Sequence, residues 1–122
     1  MRNERHLPKK ILIVEDEWLL ASELARHVKG AGYEVVGPVP TTADAAERID
    51  DDPPDAAILD VQLDGETTFS LAADLSVLGI PFFFLTGHTE KDYPQLEGRV
   101  ILSKPAEVSQ VLQTLANLVG DH

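Results

Sequence analysis

Five short apolar runs punctuate the chain: Ile11–Val14, Val35–Val39, Ala56–Leu59, Phe82–Leu85 and Val100–Leu102. Their shortness and their β-branched or aromatic content predict strands. Between them the apolar residues fall at helical spacing. Such strict alternation leaves few folds open. It implies parallel strands joined by right-handed helical crossovers. Four of the runs are almost continuously apolar, which fits strands covered on both faces. The second carries Gly37-Pro38 and is followed by Pro40, so it is expected at an edge.

The intervening helices have readable limits. Trp18–Ala31 places Leu20, Leu24, His27 or Val28, and Ala31 on one stripe, with Gly30 and Gly32 at the exit. Thr41 or Thr42 can cap a helix running to about Ile49, with Asp44 and Glu47 early in it, and Pro53-Pro54 turns the chain away. Thr67–Leu78 sets Leu71, Leu75 and Leu78 on one face and ends at Gly79. Ser103–Val119 carries Val108, Val111, Leu112, Leu115 and Val119 in an amphipathic pattern. Thr89–Gly98 contains Pro94 and has room for one turn. The expected architecture is α/β: a flavodoxin-like five-stranded parallel sheet of order 2-1-3-4-5, with helices on both faces and a short fourth helix. One domain over residues 9–119 follows, with residues 1–8 as a flexible N-terminal tail.

Composition narrows the function classes. The 122 residues carry a formal net charge of −11, which opposes direct nucleic-acid binding because that rests on neutralising phosphates. With no cysteine, disulfides and thiolate zinc sites are excluded. No apolar stretch is long enough to span a bilayer, and the polar, basic opening MRNERHLPKK lacks a signal-peptide core. The expectation is a cytoplasmic protein with no membrane partner. Asp50-Asp51-Asp52 reads as a solvated loop.

The polar residues that follow the apolar runs carry the chemistry. Glu15-Asp16 follow the first, Asp60 the third, Thr86 the fourth and Ser103-Lys104-Pro105 the fifth. In a parallel sheet these positions share the C-terminal edge, where open α/β sheets bind ligands. Three carboxylates gathered there repel one another unless a cation joins them. Hard oxygen ligands on few protein groups suit Mg²⁺. A cation, the Lys104 ammonium and the Thr86 hydroxyl around Asp60 make a cradle for a phosphoryl group. On this reading Asp60 is either a metal ligand only or a nucleophile.

The set resembles the receiver domain of two-component response regulators. The resemblance rests on "ILIVEDE", "AAILDVQLDGE", "PFFFLTGH" and "ILSKP" together, covering about residues 9–119. "FFFLTGH" is also similar to a receiver subgroup with a Phe-x-Thr-Gly turn and a reduced fourth helix. The resemblance implies that Asp60 accepts a phosphoryl group from the phosphohistidine of a sensor histidine kinase or a phosphotransfer protein. It implies that Asp16 binds Mg²⁺, that Glu15 acts mainly through water, and that the Gln62 backbone carbonyl completes the protein ligands. Thr86 and Lys104 would contact the phosphoryl oxygens, and the Lys104–Pro105 peptide would be cis. Such a protein acts on a downstream partner through a changed surface and turns over no free substrate. Many receivers carry an aromatic residue three positions before the lysine, where this chain has Ile101.

Other readings use the same residues. A Mg²⁺-dependent phosphohydrolase with an Asp nucleophile usually wants a second acid two residues on, where Gln62 stands. A flavin or nucleotide site wants a Gly-rich or Ser/Thr-rich loop where Glu15-Asp16-Glu17 stand. A receiver-like interaction module that is never phosphorylated is a further alternative. The Gln62 side chain either orients water on a phosphorylated Asp60 or is an exposed spectator. His88 is expected to face solvent, Trp18 to pack near the rim of the site, and Phe82-Phe83-Phe84 to be mainly core. His6, His27 and His122 are too scattered for a metal site.

Overall fold

A computed structural model describes residues 7–120. Of the expected N-terminal tail, residues 1–6 lie outside the described part, as do His6 and His122. The elements, in order, are β1 (Lys10–Val14), α1 (Trp18–Gly30), β2 (Glu34–Val39), α2 (Thr42–Asp51), β3 (Ala56–Leu59), β4 (Gln62–Leu63), β5 (Glu66–Thr67), α3 (Phe69–Val77), β6 (Phe82–Thr86), a 3₁₀ turn (Pro94–Leu96), β7 (Ile101–Ser103) and α4 (Val108–Val119). The main sheet runs β2-β1-β3-β6-β7, all parallel. Counting only those five strands, the order is the expected 2-1-3-4-5.

Strand periodicity sorts the core into two layers. Leu12, Val14, Ala57, Leu59 and Phe84 face one side, against Ala45 and Ile49 of α2 and Leu71 and Leu75 of α3. Ile11, Ile13, Ala56, Ile58 and Phe83 face the other, against Ala25 and Val28 of α1 and Val111 and Leu115 of α4. Burial on both faces explains why β1 and β3 read as unbroken apolar runs. Thr41 caps α2 by accepting the Asp44 N–H at 3.0 Å, which satisfies one of the free donors of the first turn.

Several expectations need correction. The face of α1 that meets the sheet is Ala21, Ala25 and Val28, with Leu24 packed against the same layer. Val28 and Leu24 belong to the expected stripe, and Ala21 and Ala25 join them because small side chains let the helix close on the strands. Leu20 is instead an exposed apolar residue. In α3 the buried face is Leu71, Ala72 and Leu75, and Leu78 lies beyond the last turn, exposed. The last helix starts at Val108, not Ser103. Proline at 105 biases Lys104 away from helical backbone, and β7 continues through Ser103. Asp50 and Asp51 belong to α2, and Asp52 pairs with Lys10 at 2.8 Å, so the acidic run is not a loop. The fifth main strand is the other edge, and only partly buried. The β4–β5 hairpin, Gln62↔Thr67 and Leu63↔Glu66, has no counterpart among the expected elements. Its strands are too short to show a period. The Lys104–Pro105 peptide is cis, as the resemblance implied, and so is Gly37–Pro38.

Candidate functional site

Backbone bonds between neighbouring strand ends set the site. The Glu15 N–H donates to the Val39 carbonyl at 3.0 Å, Asp60 N–H to Val14 at 3.0 Å, and Lys104 N–H to Thr86 at 2.9 Å. Each residue leaving a strand is therefore pinned to the strand beside it. The register Val14↔Leu59, Leu59↔Phe84 and Thr86↔Ser103 keeps them level. Residues far apart in the chain thus meet at the C-terminal edge.

Lys104 joins two of the acids. Its Nζ donates to Glu15 Oε1 at 2.6 Å and to Asp60 Oδ2 at 2.9 Å. Asp60 is 9% exposed, and its Oδ1 accepts the Val61 N–H at 2.7 Å. Each Asp60 oxygen thus has one donor and keeps a second lone pair. Asp16 stands at the rim, where its Oδ2 accepts the Asp64 N–H at 2.7 Å and holds the hairpin turn. Thr86 is fully buried at the end of β6, and its hydroxyl oxygen accepts the His88 N–H at 3.2 Å.

One carboxylate oxygen from each of Glu15, Asp16 and Asp60 lies within 4.8 Å of the other two. Three negative groups face a single ammonium there. The donor set is all oxygen, with no nitrogen or sulfur ligand, so it fits a hard divalent cation. Burial raises the Glu15 carboxyl above its usual range, against the lowering effects of the Lys104 bond and the Glu17 N–H; the nearby Asp60 charge adds to the rise. Burial alone would lower Lys104. Its bonds to Asp60 and Glu15, and their charges, outweigh burial and hold it above its usual value, so the ammonium stays charged.

The structure thus brings Glu15, Asp16, Asp60 and Lys104 together, with Thr86 buried at the end of the adjoining strand. Gln62 begins the hairpin two residues past Asp60. Its side chain is half-buried and bonded rather than an exposed spectator. Nε2 donates to the carbonyls of Leu63 at 2.9 Å and Glu66 at 3.2 Å, and Oε1 accepts the Tyr93 hydroxyl. The His88 side chain is 41% exposed, as expected of a solvent-facing group, with Nδ1 3.7 Å from Asp92 Oδ2 and its ring edge-on to Tyr93 at 5.3 Å. Trp18, the first residue of α1, is 75% exposed rather than packed at the rim. Phe83 and Phe84 are fully buried, and Phe82 is the ring near the surface, under Arg99.

Two residues escaped the sequence reading. Thr68 is fully buried and donates its hydroxyl to the Asp60 carbonyl at 2.6 Å. Glu66 accepts the Thr42 N–H at 2.9 Å and the Thr42 hydroxyl at 2.7 Å, tying the hairpin to α2. The run Glu66-Thr67-Thr68 before an apolar helix hints at a capping segment, but nothing local ties it to residue 60 or 42. No helix among the described residues is long and apolar enough to cross a membrane.

Comparison with known proteins places this geometry. The family profile described as response regulator receiver domain matches residues 11–116. The chain is 27% identical over 114 residues to the transcriptional regulatory protein PdtaR of Mycobacterium tuberculosis, covering 89% of this chain and 56% of that protein. It spans about half the length of the curated relatives it matches first. The BeF3-activated conformation of SdrG from Pseudomonas melonis Fr1 superposes with a TM-score of 0.76 at 39% identity, over 90% of this chain and 95% of that one. The receiver domain of PhyR from Erythrobacter litoralis gives a TM-score of 0.83 at 26% identity, over 93% and 91%.

Proposed function

The chain belongs to the response regulator receiver domain family, and we propose that it works there as a phosphoryl acceptor, with Asp60 the accepting residue. The observation that carries this reading is the Lys104 bridge: one ammonium bonded to both Glu15 and the nearly buried Asp60 at the mouth of the sheet. A buried carboxylate held by a fixed cation, with open lone pairs and a buried hydroxyl at the next strand end, suits in-line attack on phosphorus. In the transfer an Asp60 oxygen forms a bond to phosphorus while the phosphorus–nitrogen bond of a phosphohistidine breaks. The electron pair stays on the imidazole, which takes up a proton from solvent.

Each side chain has a separate task. Lys104 orients Asp60 before transfer and balances charge on a phosphoryl oxygen after it. The Thr86 hydroxyl would donate its proton to another such oxygen. Thr68 fixes the main chain at Asp60. Asp16, Asp60 and the Gln62 carbonyl would hold Mg²⁺, with Glu15 acting through water. Mg²⁺ would neutralise charge shared between acceptor and phosphoryl oxygens.

The donor is a sensor histidine kinase or a phosphotransfer protein, and the recipient of the signal is a downstream protein that reads a changed surface. With these partners, the location we propose is the cytoplasm. We assign no turnover of free phosphate esters, since residue 62 offers an amide where an acid–base catalyst would need a carboxyl. The test is transfer from a radiolabelled phosphohistidine donor. Label should pass to the wild-type chain only with Mg²⁺ and never to Asp60→Asn. Label on Asp60→Asn, or none on wild type across competent donors, would overturn the assignment.

A further inference from the structure

Gln62 follows Asp60 by two residues, and its amide is committed to other partners. Both Nε2 protons go to hairpin carbonyls, Leu63 and Glu66, and Oε1 takes the Tyr93 hydroxyl. A primary amide has two donors and one acceptor atom, so the whole group is fixed from two sides. Tyr93 is itself braced. Its ring lies edge-on to Phe69 at 5.5 Å and to His88 at 5.3 Å, and its N–H donates to the Thr89 carbonyl at 2.9 Å. His88 in turn donates its N–H to the Thr86 hydroxyl oxygen. Tyr93 therefore touches both segments that leave the site, the one after Asp60 and the one after Thr86.

A glutamine amide beside a phosphoryl group can hold the attacking water in line. We propose that Tyr93 is a positioning residue that keeps the Gln62 amide engaged and so lengthens the life of phosphorylated Asp60, an inference that rests on Asp60 being the acceptor. In the hydrolysis it restrains, a water oxygen attacks phosphorus. The bond from phosphorus to the Asp60 oxygen breaks, and its electron pair returns to the carboxylate. One water proton stays on the phosphate and the other passes to solvent. While Oε1 is bound to Tyr93 and Nε2 to the hairpin, the amide does not serve that water. Its release makes the amide available.

The test uses the whole chain phosphorylated with acetyl phosphate and Mg²⁺, then followed after the donor is removed. Tyr93→Phe keeps the ring contacts and deletes only the hydroxyl. Its phosphoryl group should be lost about fivefold faster, the population change expected from one neutral hydrogen bond. In a Gln62→Leu background, which has no amide to release, the same change should have no effect on the rate. A merely structural role for Tyr93 would alter decay in both backgrounds. Equal decay in Tyr93→Phe and wild type, or equal acceleration with and without Gln62, would overturn the proposal.

The amide is also read without any phosphoryl group. The Gln62 side-chain NH₂ signals in a ¹H–¹⁵N spectrum should be dispersed in wild type and move towards free-amide positions in Tyr93→Phe. Unchanged signals would refute the restraint itself. Failure of wild type to take any label, with those signals shifting as expected, would instead remove the Asp60 reading and the claim about lifetime with it.

Discussion

Lys104→Met is expected to weaken the fold and tighten cation binding together. Lys104 Nζ lies 2.6 Å from Glu15 and 2.9 Å from Asp60, whose side chains are only 6% and 10% exposed. Removing one member of a buried ion pair costs about 3–5 kcal/mol, because the other member is left charged and unpaired. Lys104 is itself partly open to solvent, at 21%, which reduces the expected loss to about 2–3 kcal/mol. For a domain of this size that is roughly 10 °C in melting temperature. The same deletion removes a positive charge beside the three acids. At water-like dielectric and separations of about 4–6 Å, one unit charge changes the energy of a divalent ion by about 1–2 kcal/mol. Mg²⁺ affinity should therefore rise about tenfold. Urea unfolding in chelator measures the first effect, and calorimetric Mg²⁺ titration the second. Added Mg²⁺ should restore much of the lost stability. A variant as stable as wild type in chelator, or one that binds Mg²⁺ more weakly, would refute the shared-site reasoning.

Two further outcomes follow from the supports of the site. Thr68→Val keeps the shape but removes the donor to the Asp60 carbonyl in a fully buried position, so unfolding free energy should fall by about 1–3 kcal/mol; an unchanged denaturation midpoint would show that the bond contributes nothing. Glu66 is held below the usual carboxylate range by its two bonds to Thr42. Its contribution is thus present at neutral pH and lost as pH falls below that range through the lowered value. The stability gap between wild type and Glu66→Gln should close over that acidic window. A gap that stays constant with pH would mean that Glu66 ionisation is not linked to folding.

The strands were legible because each central one is covered on both faces. Ile11–Val14 and Ala56–Leu59 have no room for polar residues, and a short unbroken apolar run is a strong local signal. The position of Asp60, Thr86 and Lys104 followed from that, since the ends of parallel strands share an edge. Helix faces were less legible. In α1 both Leu20 and Ala21 are apolar, and only the closeness of helix and sheet decides that alanine packs inward. The edge strand Ile101–Ser103 reads like a central one because Ile101 and Leu102 pack against opposite core layers, although each is only partly buried. The hairpin, Thr68 and the Gln62–Tyr93 bond were invisible for a different reason. Each depends on a contact whose partner is set by tertiary closure, such as residue 93 meeting residue 62, and no period or cap announces such a pairing.

Intact-mass spectrometry with peptide mapping, after incubation of the chain with acetyl phosphate, addresses Asp60 itself. Wild type with Mg²⁺ should gain the mass of one phosphoryl group, mapped to the peptide containing Asp60, and Asp60→Asn or chelator should abolish the gain. An unmodified wild-type chain, or the same gain in Asp60→Asn, would contradict the account.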